Sequence, residues 1–274
     1  MSSMLSLEIT SCSCYHVGMS KTVLITGATG GLGRAFANLF AAERYTLVLV
    51  GRDARKLTAL RREIAARFPR VTVKTIVADL SHPGAAESVY RQTERAHVTV
   101  DVLVNNAGFA THGAFVSIPL SDDLEQIAVN ITAATAIAKL YGFHMAKRRR
   151  GKILNVASVA AYQPGPYMAV YYASKAYVLS LSEAMSAELS PRGVTVTALA
   201  PGATKTGFAA RAGLENTFLF RVAGDPVAVA EAGYHGLMEG KRVVIPGLQH
   251  LVLSILARIF PHRLVLSVLT WLQQ

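Results

Sequence analysis

Short apolar runs alternate with longer amphipathic stretches along most of this chain. The runs are rich in Val, Ile and Leu, as buried strands are, and cover 21–26, 45–50, 71–77, 100–104, 152–156 and 194–199, with a seventh at 242–245. The stretches between them predict helices at 34–43, 54–68, about 122–149, and from Tyr171 to about 189. Strands that alternate with such helices predict an α/β fold, a doubly wound parallel sheet of about seven strands with helices on both faces.

The pattern also divides the chain into three parts. No linker-like or low-complexity segment interrupts residues 19–247, which we expect to form one domain. Residues 1–18 show no regular pattern, and we expect this tail to be disordered. Residues 248–274 are almost entirely apolar, and we treat them as an amphipathic helical segment.

Charge and cysteine content narrow the function classes. The chain has 274 residues and a formal net charge of +11, but its basic residues are dispersed and not interleaved with aromatics. We therefore expect no nucleic-acid partner. Cys12 and Cys14 are the only cysteines, and the first residues make a poor signal peptide, so we expect a reducing, cytoplasmic location and no metal site.

A glycine-rich segment follows the first predicted strand. Gly27, Gly30, Gly31 and Gly33 allow a tight turn and a close approach of the backbone, and the next helix presents its N-terminus to an anion. Between a strand and a helix, this segment is a dinucleotide-binding fingerprint. We therefore expect a nicotinamide or related dinucleotide here.

The end of the second strand indicates which dinucleotide binds. An acidic residue would hold both ribose hydroxyls of NAD, but Gly51 stands at that position and Arg52 follows. An arginine can hold a 2′-phosphate with charge-assisted hydrogen bonds. The sequence favours NADP(H), with NAD(H) as the alternative, since Asp53 is close enough to pair with Arg52 instead.

Tyr171 and Lys175 lie four residues apart in a predicted helix, so they project from the same face. A nearby ammonium favours a phenolate, and we expect it to lower the pKa of Tyr171 towards working pH. Such a phenol can donate a proton to a carbonyl oxygen or take one from an alcohol. The alternative is an ordinary pair on a helix surface.

Taken together, these motifs resemble those of the short-chain dehydrogenase/reductase family. The likeness covers about Lys21 to Val244, and its motifs keep the family's order and spacing: Thr26-Gly27-x-x-x-Gly31-x-Gly33, Asn105-Asn106-Ala107-Gly108, Asn130, Ser158, Tyr171-x-x-x-Lys175 and Pro201-Gly202. The resemblance implies a Rossmann-type catalytic domain and a homo-oligomer.

The resemblance also assigns catalytic roles. Tyr171 is expected as the general acid in carbonyl reduction, and Lys175 as the group that lowers its pKa and binds the nicotinamide ribose. Ser158 is expected to hydrogen-bond the substrate oxygen, and Asn130 to hold a water that links Lys175 to solvent.

A larger set is implied to contact the cofactor. It comprises Thr26, Gly27, Thr29, Gly30, Gly31, Leu32, Gly33, Arg52, Asp79, Leu80, Asn106, Ala107, Gly108, Tyr171, Lys175, Pro201, Gly202, Thr204 and Thr206. Within it, Asp79 and Leu80 resemble the adenine contacts and Asn106 an adenosine-ribose contact. Gly30 replaces a basic residue that often helps to bind the 2′-phosphate, which leaves that role mostly to Arg52.

Apolar and aromatic residues dominate the segments between the motifs. We expect Phe109, Tyr162, Tyr167 and Phe208 to contact substrate, although several could instead be core residues. The resulting hypothesis is an NADPH-dependent oxidoreductase that reduces a ketone, or oxidises the matching alcohol, on a lipid-like, steroid-like or 3-oxoacyl molecule. The alternative is a non-catalytic cofactor sensor or a membrane-docked scaffold.

The C-terminal segment departs from the family's usual ending. Two short helical runs flank Pro261, and His250, Ser254 and Arg258 form a polar stripe along the first. The rest is apolar, and each run is too short to span a bilayer. Residues 250–272 therefore suit contact with a membrane surface, a lid over the pocket, or a subunit interface.

Overall fold

The computed structural model describes residues 21–208, 213 and 223–273, apart from the side chains at 262 and 271–273. The predicted tail, 1–18, lies outside the described residues. Seven parallel strands form one sheet: β1 (Thr22–Thr26), β2 (Thr46–Gly51), β3 (Val73–Val77), β4 (Val102–Asn105), β5 (Gly151–Val156), β6 (Val194–Leu199) and β7 (Val243–Val244). Their order, β3-β2-β1-β4-β5-β6-β7, confirms the predicted doubly wound sheet.

Nine α-helices surround the sheet in the described part of the chain. They are α1 (Gly31–Ala42), α2 (Ala54–Arg67), α3 (Ala85–Arg95), α4 (Leu120–Ile127), α5 (Ala134–Lys147), α6 (Ala169–Leu189), α7 (Pro226–Glu239), α8 (Leu248–Ile259) and α9 (His262–Gln273). The last two lie on either side of Pro261, where two short helical runs were expected. None of the described helices combines the length and the apolar character needed to cross a membrane.

The strands separate two apolar cores because their side chains alternate between the faces of the sheet. Val23 and Ile25 of β1 belong to the core beneath α1, α2 and α7, which includes Phe36 and Phe40. Leu24, between them, belongs to the opposite core, beneath α3 and α5. A strand buried on both faces must be apolar throughout, which explains the continuous apolar runs.

The helix predicted over about 122–149 is not a regular α-helix. A π-helical turn, Ala128–Ala133, separates α4 from α5 and contains Asn130. Single π-turns within α-helices often mark functional sites. Here the wider turn carries the buried side chain of Asn130, which forms hydrogen bonds with residues outside its own helix.

Candidate active site

The predicted site residues meet at the carboxyl edge of the sheet. Parallel strands end at the same edge, so the loops after β1, β4, β5 and β6 lie side by side. They carry the glycine loop, the Asn105–Gly108 segment, Ser158 and the Pro201-Gly202 pair. α6 crosses behind them and supplies Tyr171 and Lys175.

The glycine loop has a geometry that side chains would block. Gly27 adopts a φ of +63°, and a Cβ on Gly33 would lie 2.3 Å from the Gly27 carbonyl oxygen. The residue before α1 is Gly30, which has no side chain to accept the amides of the first turn, and that turn holds no acidic residue. These amides and the helix dipole suit a phosphate group.

The loop after β6 closes over this glycine loop. A Cβ on Gly31 would lie 2.6 Å from the Thr206 Cγ2 atom, so Thr206 rests directly on the start of α1. The Thr204 hydroxyl donates to the Gly202 carbonyl at 3.0 Å. The two threonines predicted to receive the cofactor therefore lie beside the predicted phosphate site.

Thr26 and Asn106 tie the glycine loop to the loop after β4. The Thr26 hydroxyl accepts the amides of Asn106 and Ala107, each at 2.9 Å. The Asn106 side chain donates to the carbonyls of Thr26, at 2.9 Å, and Gly27, at 3.2 Å. The Asn106 side chain thus positions the backbone of the glycine loop, and the ribose contact expected for it stays a prediction.

Arg52 and Asp53 do not pair with each other as the alternative supposed. Asp53 caps α2, where its carboxylate accepts the amides of Arg55, at 2.9 Å, and Lys56, at 3.0 Å. The hydrogen bond from the Lys56 amide is the largest of the effects that lower the pKa of Asp53. Arg52 lies 3.5 Å from Glu125, and both of these side chains are well exposed.

The neighbouring cofactor candidates lie along the same edge. Asp79 accepts the Ser81 amide at 3.0 Å and its hydroxyl at 2.8 Å. Burial acts to raise the pKa of Asp79, but these bonds, with His82 and Arg52 nearby, lower it overall. Leu80 is buried in the core. Thr29 lies close to Gly51, since its hydroxyl would be 3.5 Å from a Cβ at that position.

Tyr171 and Lys175 are both buried, which excludes an ordinary surface pair. The Lys175 ammonium lies 5.7 Å from the centroid of the Tyr171 ring and donates to the Val156 carbonyl at 2.8 Å. Burial lowers the pKa of Lys175 to about 8. Burial also raises the pKa of Tyr171, and a hydrogen bond with Ser158 opposes this effect only in part. The expected lowering of the Tyr171 pKa is therefore wrong for this structure, because desolvation of the phenol dominates.

Ser158 stands where β5 ends, beside Tyr171. Its hydroxyl accepts the Ala160 amide at 3.1 Å and lies 3.3 Å from the Pro201 carbonyl oxygen. The serine also caps the short 3₁₀ turn Val159–Tyr162. The hydroxyl is therefore held next to the phenol, where both can reach one substrate oxygen.

Asn130 fixes the loop after β4 against α6. Its side-chain oxygen accepts the Phe109 amide at 3.1 Å, while its amide group donates to the Phe109 carbonyl, at 2.9 Å, and to the Ser174 hydroxyl, at 3.1 Å. Ser174 in turn donates to the Tyr171 carbonyl at 2.7 Å. The sequence analysis did not predict a role for Ser174, and its position directly before Lys175 was the available signal.

A small cavity of about 10 Å³ lies beside this network. Polar side chains line part of it: Asn105, Asn130, Asn155 and Lys175. That volume is close to the minimum for one water molecule, and these groups supply hydrogen-bond partners. Gly108 borders the same place, since a Cβ there would lie 3.1 Å from the Asn130 Oδ1 atom.

The four residues predicted to contact substrate lie in different surroundings. Phe208 lies beside the phenol of Tyr171, with ring centroids 5.3 Å apart, and it packs against a cluster of Ala110, Ala160, Met168, Tyr171 and Tyr172. Phe109 is buried in the loop that Asn130 holds, and Tyr167 has a φ of +60° and lies 6.3 Å from His112 between ring centroids. The Tyr162 ring packs with Val178 and Leu179 and beneath Arg258, and its contact with substrate stays a prediction.

His250 is a site neighbour that the sequence did not identify. A Cβ on Gly202 would lie 2.3 Å from the His250 Cε1 atom, so the imidazole of α8 rests directly on the Pro201-Gly202 turn. Burial lowers the pKa of His250. The sequence places His250 in a polar stripe along the helix, but it does not show whether that stripe faces the protein or the solvent.

Comparisons with known proteins agree with this geometry. A family model described as short chain dehydrogenase matches residues 21–216. The chain is 34% identical over 177 residues to a very-long-chain 3-oxoacyl-CoA reductase of Pyrenophora tritici-repentis, a match that covers 63% of this chain and 52% of that protein. The chain thus spans about half the length of that relative.

Two solved structures are also similar. A short-chain dehydrogenase from Sphingobium yanoikuyae in complex with NADPH is 34% identical, with a TM-score of 0.77, and the match covers 83% of this chain and 88% of that one. The bulky-bulky ketone specific alcohol dehydrogenase from Comamonas testosteroni is 30% identical, with a TM-score of 0.75 and coverage of 87% and 92%. The family model, the sheet order and the cluster of Ser158, Tyr171 and Lys175 agree, and the chain therefore belongs to the short-chain dehydrogenase/reductase family of oxidoreductases, which act on hydroxyl or carbonyl groups.

Proposed function

We propose that this protein is an oxidoreductase that uses NADPH to reduce a ketone on an apolar molecule, or NADP⁺ to oxidise the matching alcohol. The observation that carries the proposal is the buried Tyr171, which lies among Lys175, Ser158 and an apolar wall that includes Phe208. A phenol placed in this way can exchange a proton with a substrate oxygen in a site of low polarity.

The cofactor site fits a dinucleotide on structural grounds. Gly27, Gly31 and Gly33 form a cradle that any larger residue would fill, and the uncapped start of α1 offers amides to a phosphate. Thr204 and Thr206 would lie against the same group. When bound, NADPH supplies the hydride for reduction.

Residues of the chain itself would carry out the proton transfer to the substrate. Tyr171 donates it to the carbonyl oxygen, and Ser158 stabilises the charge that develops on that oxygen. Lys175, when charged, favours the phenolate left behind. The cavity bordered by Asn130 and Lys175 supports a single water as the route by which Tyr171 is reprotonated.

The substrate class rests on the residues around the phenol. Phe208, Met168 and Tyr172 surround Tyr171 with apolar surface, which favours a hydrophobic ketone over a small polar one. The similar proteins named above, a very-long-chain 3-oxoacyl-CoA reductase and a bulky-ketone alcohol dehydrogenase, support lipid-like, steroid-like or 3-oxoacyl substrates.

The test is NADPH consumption against ketones graded by apolar size. We expect kcat/KM to rise with apolar size across the panel and to remain low for short polar ketones. Tight NADPH binding without turnover on any ketone would contradict the proposal and favour a cofactor sensor or a scaffold.

The preference for NADPH depends on Arg52 in this proposal. Its exposed pair with Glu125 is weak, so the guanidinium is available to a 2′-phosphate. Arg52→Ala should raise the Kd for NADPH by about 10- to 100-fold, the strength of charge-assisted hydrogen bonds, and leave that for NADH nearly unchanged. Fluorescence titration with both cofactors measures this.

Arg55→Ala is the matched control, since Arg55 is an exposed arginine at the start of α2. It should alter neither Kd. Equal loss of both cofactors in the Arg52 variant would mean that Arg52 does not distinguish them.

We also propose a homo-oligomer with an interface on α5 and α6. Phe143 is 56% exposed on α5 and Tyr177 is 39% exposed on α6, and the hydroxyl of Tyr177 lies 3.0 Å from that of Thr135 across the two helices. Phe143→Glu should shift the protein to a monomer in sedimentation equilibrium, whereas Val227→Glu, at an exposed position on α7, should not. A monomeric wild type would overturn the proposal.

A further inference from the structure

The helix α8 is inverted relative to an ordinary surface helix. Its polar side faces the protein, where Ser254 is only 4% exposed and His250 rests on Gly202. The Ser254 hydroxyl is satisfied within the helix, since it donates to the His250 carbonyl at 2.8 Å. Its outward side is mostly apolar and includes Leu248, Leu251, Val252, Leu253, Ile255, Leu256 and Ile259. Gln249 and Arg258 are also exposed on this helix.

The seven exposed apolar side chains lie on one continuous arc. At 100° per residue, five of the seven fall within about a third of the helix circumference, with Leu251 and Leu253 at its margins. Ile259 is 72% exposed and Leu253 is 61% exposed. The surface continues through Phe260 into α9, where Leu264, Leu266 and Val268 are exposed. A contiguous apolar surface of this kind marks an interaction site.

The charges around this surface indicate what covers it. From Gly240 to the end of the sequence there is no aspartate or glutamate, whereas Arg258 of α8 and Arg263 of α9 are basic. Lys241, which precedes α8, pairs with Glu239 at 2.7 Å. A second copy of the chain would bring the same positive charges to the contact. An anionic lipid surface complements them, and apolar side chains flanked by basic ones are typical of helices that lie in a membrane interface.

We propose that the outward face of α8 and α9 docks on an anionic membrane surface. The inward face of α8 links this surface to the active site through His250, whose imidazole rests on Gly202. The Arg258 guanidinium, 4.7 Å from the centroid of the Tyr162 ring, also holds α8 against the protein. Docking therefore places the carboxyl edge of the sheet next to the lipid. If the proposed function holds, the substrate is an apolar ketone dissolved in the membrane.

The test is partition of the full chain onto vesicles, which needs no turnover and so stands apart from the test of the proposed function. We expect binding to vesicles of phosphatidylcholine with phosphatidylglycerol, weaker binding to phosphatidylcholine alone, and loss of binding at high salt. The double variant Val252→Asp and Ile259→Asp should lower the partition coefficient by about tenfold or more, since both apolar side chains leave the lipid. Arg263→Gln should reduce the preference for the anionic vesicles.

Val227→Asp provides the matched control, because Val227 is 51% exposed on α7 and Val252 is 45% exposed on α8. This control should bind vesicles like the wild type, and thermal unfolding shows whether each variant folds. Wild-type protein that stays in solution with anionic vesicles would overturn the proposal. So would a double variant that binds as the wild type does, or a dimer that the double substitution dissociates while vesicles bind nothing, which would assign the face to a second copy.

Discussion

Replacing Tyr171 with phenylalanine is expected to lower kcat for ketone reduction by about 10²- to 10⁴-fold, the usual contribution of general acid catalysis. The ring should keep its packing against Phe208 and Tyr172, so the fold and the Kd for NADPH should change little. Only the phenolic hydroxyl is removed from the side chain. Steady-state rates and NADPH titrations on the purified variant measure both quantities.

Tyr172 offers a matched control for this experiment. It is buried beside Tyr171, with ring centroids 6.1 Å apart, but it lies out of register with Lys175 and packs on Gly165. Tyr172→Phe should therefore leave kcat within a few-fold of the wild type. If Tyr171→Phe retains turnover, another group donates the proton and the proposed chemistry fails.

Lys175→Met is expected to abolish most turnover and yet to stabilise the fold near neutral pH. Turnover falls because Lys175 no longer supports the charge on Tyr171 or borders the water-sized cavity. Stability rises because burial disfavours the ammonium: a pKa of about 8 against the usual 10.5 corresponds to roughly 3 kcal/mol. The lost hydrogen bond to the Val156 carbonyl offsets about 1 kcal/mol of that gain.

The pH dependence of this effect has a definite sign. The folded pKa of Lys175 lies below the unfolded one, so its cost to wild-type stability is fully present below about pH 8. That cost disappears as the pH rises towards 10.5, so the advantage of the methionine variant should shrink over the same range. In the wild type, kcat for reduction should also fall above about pH 8, as Lys175 loses its charge.

Lys152→Met is the control, since the amine of Lys152 donates to the carbonyls of Leu237 and Met238 far from the phenol. It should leave kcat and its pH profile unchanged. Denaturant unfolding of the three proteins between pH 7 and 10.5 tests the stability difference. A Lys175→Met variant less stable than the wild type at pH 7 would mean that the ammonium is stabilising where it stands.

The fold and the location of the site could be predicted because both depend on local patterns. A strand buried on two faces must be apolar throughout, and the glycine loop needs residues without side chains. Both features are therefore visible as patterns of neighbouring residues in the sequence. The carboxyl edge follows from parallel strands, which bring Ser158, Tyr171 and Gly27 together whatever the loop details. The sequence did not predict the hydrogen bonds of the Asn106 side chain, because their acceptors lie about 80 residues earlier in the chain.

By itself, the sequence determined the sheet of seven strands. It also predicted the catalytic set and two apolar C-terminal helices. The tertiary structure decided that α8 turns His250 and Ser254 inward, that the Tyr162 ring packs with Val178 and Leu179 beneath Arg258, and that Asn130 sits in a π-turn. It also decided the direction of the Tyr171 pKa shift. These properties depend on which distant residues exclude water from a side chain, and spacing along one helix carries no information about them.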